Sequence, residues 1–502
     1  MAFTFINSII SWFLKKRKHQ VELFLKYPVY VQNEVLSKLL NTAKNTEYGK
    51  QHNFSSIKSY EDFNKKVPIR KYESIEPLIE RCRQGEQNIF WPTQIRWFAK
   101  SSGTTNAKSK FIPVSDQAIG DCHLKAGKDM LCLYINNNKN AQLFTGKGLR
   151  LGGSSNVYED NNSNFGDLSA IIIENMPFWA DFSSAPKQEV ALMSEWETKM
   201  EAIIDETINE NITSLVGVPS WMLVLLNRVL EKTGKSNILE VWPNLEVYFH
   251  GGVNFNPYRE QYKKLIPKES FKYYETYNAS EGFFGIQDKN NSDELLLMLD
   301  YGIFYEFIPM PHFDGENSIA IPLERVEKNT NYAVVITTNG GLWRYLIGDT
   351  VKFTSTNPYR IKVTGRTKHH INVFGEELII ENAEESLKAA CLKTDATVKD
   401  YTVGPVFMDN SIQGAHEWVI EFGKAPENLD FFTEMLDSHL KNCNSDYEAK
   451  RYNNMTLGMP KVHQARNGLF YEWLKIKGKL GGQHKVPRLS NKREFIDELL
   501  SL

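Results

Sequence analysis

Apolar side chains recur at two different spacings along the chain, and the change of spacing divides it into two kinds of segment. Residues 1–45 carry apolar positions at helical spacing, with one interruption at Pro28, which predicts a helical start. Beyond Trp91, short β-rich runs such as FIPVS, SAIII, LEVYFHGG and NYAVVITT alternate with helical stretches such as SEWETKMEAIIDETINE and SWMLVLLNRVLEKTG. This alternation predicts an α/β fold with partly parallel sheets.

The same patterns predict a domain boundary near the segment TSTNPYRIKVTGRTKHH. A strand-like run, DTVKFTS, leads into it, and a strand followed by an acidic helix, INVFGEELIIENAEESLKAA, comes after it. A chain of 502 residues exceeds the roughly 250–300 residues at which a single core stops growing. We therefore expect a large N-terminal domain over residues 1–364, with mixed β-sheets flanked by helices, and a smaller α+β C-terminal domain over residues 365–502.

Composition narrows the class of protein. A formal net charge of −2 argues against a dedicated nucleic-acid binder. The five cysteines are scattered without a C-x-x-C motif, which indicates a reducing compartment and predicts a cytoplasmic protein. The segment MAFTFINSIISWFLKKRKHQ has its positive charge after a short apolar run, so it resembles neither a secretory signal nor a membrane span. It fits an amphipathic helix packed on the body or, alternatively, reversible contact with a membrane surface.

The segment WFAKSSGTTNAKSKFIPVS, from Trp97 to Ser115, concentrates hydroxyls and backbone amides between two apolar runs. Such a turn can converge N–H groups on an anion, and Lys108 and Lys110 add positive charge. The run that follows is strand-like, so the turn is expected to join two strands, and an ordinary polar hairpin is the alternative. A second glycine-rich stretch, Thr145–Ser155, lacks P-loop spacing and is interpreted as a glycine hairpin.

Three further clusters are candidates for a nucleotide site. In YYETYNASEGFFG, Glu281 is a natural magnesium ligand and Tyr277 could stack on a base; an exposed strand end is the alternative. In NGGLWRYLIGDTVKF, Asp349 could accept hydrogen bonds from ribose hydroxyls, or simply occupy a Gly-Asp turn. Near the C-terminus, GKLGGQHK presents lysines on a glycine-rich loop, which is either a phosphate contact or a solvated surface.

The order of these motifs resembles the adenylate-forming superfamily. SSGTTNAKSKF, YFHGGVNFNPY, TYNASEG, WRYLIGD, VTGRTKHHINVFGEEL and QHKVPR follow one another as they do there, and the set is similar above all to the auxin-responsive Gretchen Hagen family of acyl-acid amido synthetases. The resemblance spans most of the chain and implies the adenylate-forming fold.

Position by position, the resemblance implies roles for particular residues. The nucleotide would be bound by Ser101, Ser102, Gly103, Thr104, Thr105, Lys110, Gly251, Gly252, Tyr277, Ser280, Glu281 and Asp349, with Glu281 also the magnesium ligand. Arg366 would lie at the hinge between the domains, and Lys485 would reach the α-phosphate as a catalytic lysine. Two positions depart from the family: Ala107 replaces a usual glycine, and Leu346 replaces a usual arginine, although Arg344 lies two residues earlier.

The implied reaction uses ATP and Mg²⁺ and joins a small carboxylic acid to an amino acid through an acyl-adenylate. No general base is needed for adenylation, because a carboxylic acid is already ionised at neutral pH. An apolar acid pocket is expected near Val216–Leu226, with Trp221 and Met222 as its wall, or as core residues of an amphipathic helix. An acyl-CoA ligase on the same fold, with Lys475–Lys485 near CoA phosphates, and a nucleotide-binding relative that has lost catalysis remain open alternatives.

Overall fold

The computed structural model of the chain describes residues 17–101, 110–152, 158–160, 163–252, 255, 258–367, 370–371, 376, 378–407, 414–444, 447–448, 451, 457–480, 486–490 and 492–502. The predicted helix at residues 1–16 lies outside this set. Helices Lys18–Lys26 and Pro28–Ala43 confirm the rest of the predicted helical start, including the interruption at Pro28.

The α-helices share a short to medium length, and most connect neighbouring strands. In chain order they are α1 (Lys18–Lys26), α2 (Pro28–Ala43), α3 (Glu47–Gln51), α4 (Tyr60–Lys66), α5 (Tyr72–Arg83), α6 (Lys125–Asn137), α7 (Leu168–Glu174), α8 (Phe178–Phe182), α9 (Gln188–Ala191), α10 (Trp196–Thr207), α11 (Pro219–Thr233), α12 (Arg259–Leu265), α13 (Ile380–Thr394), α14 (Leu429–Cys443), α15 (Leu469–Ile476) and α16 (Glu494–Leu500). A π-helical turn, Ala118–Leu124, leads into α6. Short 3-10 turns are Phe54–Ser56, Leu143–Thr145, Ile238–Glu240, Met310–His312, Gly315–Asn317 and Leu323–Arg325.

The strands in chain order are β1 (Trp97–Ser101), β2 (Lys110–Val114), β3 (Lys147–Leu151), β4 (Tyr158–Asp160), β5 (Ser163–Gly166), β6 (Ser184–Ala185), β7 (Ile212–Gly217), β8 (Val247–Gly251), β9 (Lys272–Ala279), β10 (Gly282–Ile286), β11 (Leu295–Leu297), β12 (Ile303–Pro309), β13 (Ile321–Pro322), β14 (Asn331–Thr338), β15 (Tyr345–Thr356), β16 (Tyr359–Arg366), β17 (His370–Ile371), β18 (Leu378–Ile379), β19 (Thr397–Val406), β20 (Ala415–Lys424) and β21 (Lys461–Ala465).

One large mixed sheet organises the N-terminal part of the chain. Across the described residues it has twelve strands in the order β13-β12-β14-β15-β16-β11-β10-β9-β8-β7-β3-β6. The run β9-β8-β7-β3-β6 is parallel, and the remaining neighbours are antiparallel. Two large apolar cores pack on this sheet. The first core contains the π-helical turn and the N-terminal helices, and the second core contains helices α10, α11 and α12. The predicted mixed sheet flanked by helices is thereby confirmed.

Two local interpretations of the sequence are wrong. The run SAIII was expected to be a strand, but it lies within helix α7, where Leu168, Ile171 and Ile172 recur at helical spacing and pack against the first core. The stretch Thr145–Ser155 was expected to be a glycine hairpin, but its described part forms β3, which pairs in parallel with both β6 and β7. Short apolar runs fit a buried strand and a buried helix equally well, so tertiary packing decides between them.

The C-terminal part of the chain builds a smaller α+β unit. Strands β19, β20 and β21 form a sheet against which α13 and α14 pack, and their apolar side chains form a separate core. Residues of α15, α16 and Val486 pack into the second N-terminal core, so the two parts are in contact. All five cysteines are free thiols. Among the described residues, no helix combines the length and apolar character that crossing a bilayer requires.

Candidate active site

A cavity of about 870 Å³ opens where parallel strands of the large sheet end. Its lining includes the C-terminal ends of β3, β7, β8 and β9, and it continues to β15, β16 and α13. Ligands of open α/β sheets bind in this position, outside the carboxyl ends of the strands. Sequence-predicted residues that line it are Lys110, Trp221, Gly251, Gly252, Tyr277, Ser280, Glu281, Asp349 and Arg366.

Asp349 lies at the centre of the cavity's polar wall. Its Oδ2 accepts a hydrogen bond of 2.7 Å from the Tyr277 hydroxyl, and its Oδ1 pairs with Arg366 Nε at 2.8 Å. Asp349 and Arg366 are register partners on β15 and β16, whereas Tyr277 comes from β9. The preceding residue, Gly348, has φ of +89°, a conformation that favours glycine. The nearby Asp349 carboxylate raises the pKa of Arg366, so the guanidinium is held in its charged form.

Ser280 and Glu281 follow β9 and face the same space. Ser280 is 4% exposed, and its hydroxyl oxygen has no hydrogen-bond partner within the described chain. Glu281 is half-buried; desolvation raises the pKa of its carboxyl group, while the nearby Lys110 ammonium acts in the opposite direction. An orphaned buried hydroxyl beside a carboxylate is a donor set that fits phosphate oxygens and a Mg²⁺ ion, which takes oxygen ligands.

Gly251 and Gly252 close the end of β8 without side chains. A Cβ atom at Gly251 would lie 2.6 Å from the carbonyl oxygen of Thr276, and Gly252 has φ of +81°. Both positions therefore favour glycine, and the backbone is open to a flat ligand. His250, just before them, is buried, and burial lowers its pKa to about 3, so it is neutral at physiological pH.

The predicted phosphate loop is only partly within the described residues. Strands β1 and β2 pair antiparallel, with Trp97 opposite Val114 at one end and Ser101 opposite Lys110 at the other. The loop therefore joins two strands, as predicted. Ser102, Gly103, Thr104, Thr105 and Ala107 lie outside the described residues, and Ser101 is described as the last residue of β1. Lys110, the first residue of β2, lines the cavity.

The predicted catalytic lysine, Lys485, also lies outside the described residues. The next three residues, Val486–Arg488, line the cavity. Arg488 is held by Asp400, by the carbonyl oxygen of Tyr401 at 2.9 Å and by the hydroxyl of Tyr258 at 3.1 Å. The C-terminal unit therefore brings the chain beside Lys485 to the edge of the cavity.

Arg344 does not replace the arginine that is absent at Leu346. Its guanidinium is buried, donates two hydrogen bonds of 2.9 and 2.8 Å to Glu306, and contacts the carbonyl oxygens of Asn64 and Val67. Leu346 packs into a small apolar core. Neither residue lines the cavity, so Arg344 has a structural role.

The two predicted substrate-wall residues differ in position. Trp221 lines the cavity at the start of α11 and packs edge-on against Trp196, with 4.8 Å between ring centroids. Met222 is 0% exposed, belongs to the core behind this wall and is absent from the cavity lining. The expectation that Met222 forms cavity surface is therefore corrected.

The charged residues that line the cavity and were not predicted from the sequence include Glu275 and Arg150. Glu275 lies two residues before Tyr277 on β9 and so on the same face of the strand; burial raises its pKa to about 7. Arg150 lies within β3 and is 8% exposed. Each is a charged residue inside a β-rich run, and that signal was available in the sequence.

The chain was compared with models of protein families and with known proteins, and both comparisons gave matches. Family models match it in three parts: the GH3 family N-terminal domain at residues 17–271, the central domain at 296–366 and the C-terminal domain at 381–494. The indole-3-acetic acid-amido synthetase GH3.4 of Arabidopsis thaliana is 22% identical over 93% of this chain and 90% of that protein. The 4-substituted benzoates-glutamate ligase GH3.12 of the same plant is 23% identical over 91% and 92%.

Two solved structures show the same fold. The GH3.15 acyl acid amido synthetase superposes with a TM-score of 0.81 at 17% identity, covering 97% of this chain and 96% of that chain. The 2-hydroxyisobutyryl-CoA ligase in its postadenylation state gives 0.61 at 13% identity, covering 94% and 92%. The predicted adenylate-forming fold is confirmed.

Proposed function

The chain belongs to the GH3 family, and from that premise we propose that it is an ATP-dependent acyl-acid amido synthetase. It adenylates a small carboxylic acid and then transfers the acyl group to the amine of an amino acid. The observation that carries the proposal is the meeting of Tyr277, Ser280, Glu281, Asp349 and Arg366 in one cavity at the strand ends.

ATP would lie along the polar wall. The Asp349 carboxylate accepts hydrogen bonds from the ribose hydroxyls, and the adenine lies against the bare backbone of Gly251 and Gly252. The Tyr277 hydroxyl keeps the Asp349 carboxylate oriented through their 2.7 Å hydrogen bond. Lys110, with the amides and hydroxyls from Ser101 to Thr105, binds the phosphates at the opening of the β1–β2 turn.

Mg²⁺ fits the same wall through Glu281 and the phosphate oxygens. This ion usually takes one or two protein carboxylates and fills its remaining sites with phosphate oxygens and water. When bound, it neutralises charge that builds up on the phosphates during phosphoryl or nucleotidyl transfer. A single carboxylate is therefore sufficient to hold the ion beside the phosphates.

In the first half-reaction the carboxylate of the acid attacks the α-phosphorus of ATP and displaces pyrophosphate. The nucleophile needs no base, so catalysis depends on in-line positioning and on stabilising phosphate charge. Lys110 and Lys485 supply cations for this purpose, and Arg366 adds a third at the domain boundary. We place that boundary at residues 364–365, where Gly365 has φ of +147° and can absorb a hinge movement of the C-terminal domain.

In the second half-reaction an amine attacks the acyl carbon and AMP leaves. The amine is mostly protonated at neutral pH, so a group near the acyl carbon must accept a proton. Glu275 is placed for this role, because it lines the cavity and burial raises the pKa of its carboxyl group to about 7. A base with a pKa near the working pH is the most effective kind. The free thiols fit the cytoplasm as the place where this reaction occurs.

Product analysis tests the proposal. The protein is incubated with ATP, Mg²⁺ and a panel of aryl and alkyl acids, and each of the twenty amino acids is added in turn. Mass spectrometry should detect an N-acyl amino acid and one AMP for each amide formed. A thioester on addition of CoA, with amino acids inert, would indicate an acyl-CoA ligase instead. ATP binding without AMP release for any acid would indicate a protein that has lost catalysis.

A further inference from the structure

The cavity extends beyond the nucleotide residues into a hollow over β3, β6 and β7. Gly148 on β3 is the register partner of both Ser184 on β6 and Ser214 on β7. Register partners project from the same face of a sheet, so three small residues lie side by side on the floor. A Cβ atom at Gly148 would lie 3.0 Å from Ser214 Oγ, and all three residues line the cavity.

Apolar side chains cover this floor. Leu131 of α6, Leu143, Phe144 and Ile172 of α7 line the cavity there, together with Val216 of β7. A hollow with apolar side chains above it and small side chains on its floor fits the hydrocarbon part of a carboxylic acid. It lies three strands from β9, which is about 14 Å across the sheet at ~4.8 Å per strand. Phe249 of β8 and Thr276 of β9 lie on the same face as Gly148 and also line the cavity. An acid that is activated at the ends of these strands therefore reaches the hollow with its remote end.

The cation Arg150 borders the hollow. It lies two residues after Gly148 on the same strand, hence on the same face, and it is 8% exposed. One terminal nitrogen donates to Asp181 at 2.6 Å and to the carbonyl oxygen of Pro186 at 3.3 Å. The other contacts the sulfur of Met176 at 3.0 Å. The Nε–H is buried and has no partner among the described residues.

This donor set is incomplete as it stands. A guanidinium has five N–H donors, and thioether sulfur is a weak acceptor. A buried donor without a partner costs free energy, and native proteins rarely leave one unless a ligand or water satisfies it. Arg150 lines the cavity, so an acceptor on a bound ligand can reach the guanidinium.

The charge balance selects the kind of acceptor. Asp181 already compensates the Arg150 guanidinium. A second carboxylate would leave one uncompensated negative charge in a mostly buried site, which is unfavourable. A hydroxyl or oxo group adds an acceptor without adding charge.

We propose that Arg150 is a specificity-determining residue that selects acids carrying a neutral oxygen, hydroxyl or oxo, several carbon atoms from the carboxyl group. The acid extends over Gly148, Ser184 and Ser214, and its oxygen accepts a hydrogen bond from Arg150. This inference rests on the proposed function and names the acid class of the same site.

Acid-dependent exchange of labelled pyrophosphate into ATP tests it. Octanoic acid is compared with its hydroxy and oxo derivatives at positions 5 to 8, decanoic acid with those at positions 5 to 10, and both with dicarboxylic acids of equal length. At least one hydroxy or oxo acid should exceed its parent in kcat/KM by about 10- to 100-fold, the range expected for a hydrogen bond to a charged group. Dicarboxylic acids should show no such gain.

Variants locate the preference in Arg150. Arg150→Met should remove the preference and leave ATP binding by calorimetry unchanged, and Arg150→Met/Asp181→Asn provides a form without a stranded carboxylate. Arg228→Met is the matched control. Arg228 also forms an ion pair, with Glu197 at 2.8 Å, but it does not line the cavity. Gly148→Ala narrows the floor and should reduce exchange with decanoic derivatives more than with octanoic ones.

The outcomes separate the two levels of inference. Exchange with acids but no preference for oxygenated ones, or a preference that survives in both Arg150 variants, would overturn the role of Arg150 alone. If the Arg150 variants do not fold, two other results decide whether the acid lies in the hollow beside Arg150. These are the preference of the wild type for oxygenated acids and the effect of Gly148→Ala on decanoic derivatives. No exchange with any acid, while ATP still binds, would overturn the proposed function.

Discussion

Tyr277 donates a hydrogen bond of 2.7 Å to Oδ2 of Asp349, across 72 residues of sequence. The bond joins β9 to β15 and leaves Oδ1 of Asp349 paired with Arg366. One carboxylate is thus fixed in orientation by groups from two other strands, at the place where the ribose is proposed to lie. The fixed orientation is the structural basis of the first prediction.

Asp349→Ala should weaken ATP binding by about 10- to 100-fold, because charge-assisted hydrogen bonds to the ribose are lost. Tyr277→Phe should have a smaller effect, since it removes only the orienting bond. Isothermal titration calorimetry with ATP measures both. Tyr305→Phe is the control. The Tyr305 hydroxyl donates a hydrogen bond of 3.1 Å to the Met298 carbonyl oxygen, and Tyr305 does not line the cavity, so the ATP affinity of this variant should equal that of the wild type. Equal ATP affinity in Asp349→Ala would remove the ribose contact.

Glu281→Gln should raise the Mg²⁺ concentration needed for half-maximal exchange activity by about tenfold or more, because an amide oxygen binds this ion more weakly than a carboxylate. A magnesium titration of the exchange rate measures the shift. Glu260→Gln, which alters an exposed residue paired with Lys263, should leave the titration unchanged. An identical shift in both variants would show that general charge, rather than a ligand, is responsible.

Glu275→Gln should slow amide formation while leaving acid-dependent pyrophosphate exchange unchanged. In the wild type, the rate of amide formation should rise as pH increases through about 7, because the carboxyl group must lose its proton to accept one from the amine. The variant should keep only the steady rise that comes from the growing fraction of free amine, without the inflection near pH 7. Single-turnover amide formation from preformed acyl-adenylate, between pH 5.5 and 8.5, measures the profile. A rise of the same shape in Glu275→Gln would assign the titration to another group.

Glu275 should also make the stability of the folded protein depend on pH, because burial raises the pKa of its carboxyl group. The folded protein holds the Glu275 proton more tightly than the unfolded chain, so the wild type loses stability as pH rises from the unfolded pKa towards about 7. Glu275→Gln has no such loss. The melting temperature of the variant relative to the wild type should therefore be higher at pH 8 than at pH 5, and the opposite order would contradict the burial of this carboxyl.

Arg344→Met should destabilise the N-terminal domain by about 3–5 kcal/mol, because it leaves the buried Glu306 carboxylate without its cation. Arg344→Met/Glu306→Leu should recover much of the loss, since an apolar pair replaces the ion pair. Urea unfolding followed by tryptophan fluorescence measures both. Normal stability with abolished ATP binding in Arg344→Met would instead place Arg344 in the nucleotide site.

Much of the fold follows from patterns in the sequence. Short β-rich runs located strands such as β14 and β15, and helical spacing located α10 and α11. Helix α7 was misread because a short apolar run carries no period that separates helix from strand. Strand β3 was misread because its glycines suggested a hairpin. Their identity depends on neighbours far away in the chain.

The site divides in the same way. Ser280, Glu281 and Asp349 were found through motifs, because each lies in a short stretch of unusual composition. The contact between Tyr277 and Asp349, the small floor around Gly148 and the orphaned Nε of Arg150 were not predictable, since each depends on which strands become neighbours. Met222 was misplaced because helix spacing alone does not say which face of α11 meets the cavity.

Exchange of radiolabelled pyrophosphate into ATP, with Mg²⁺ and carboxylic acids but no amine, tests the proposed adenylation most directly. We expect exchange that depends strictly on the acid, saturates with acid concentration and requires no amino acid. Absence of exchange across aryl, alkyl, hydroxy and oxo acids, in protein that binds ATP, would contradict acyl-adenylate formation by this chain.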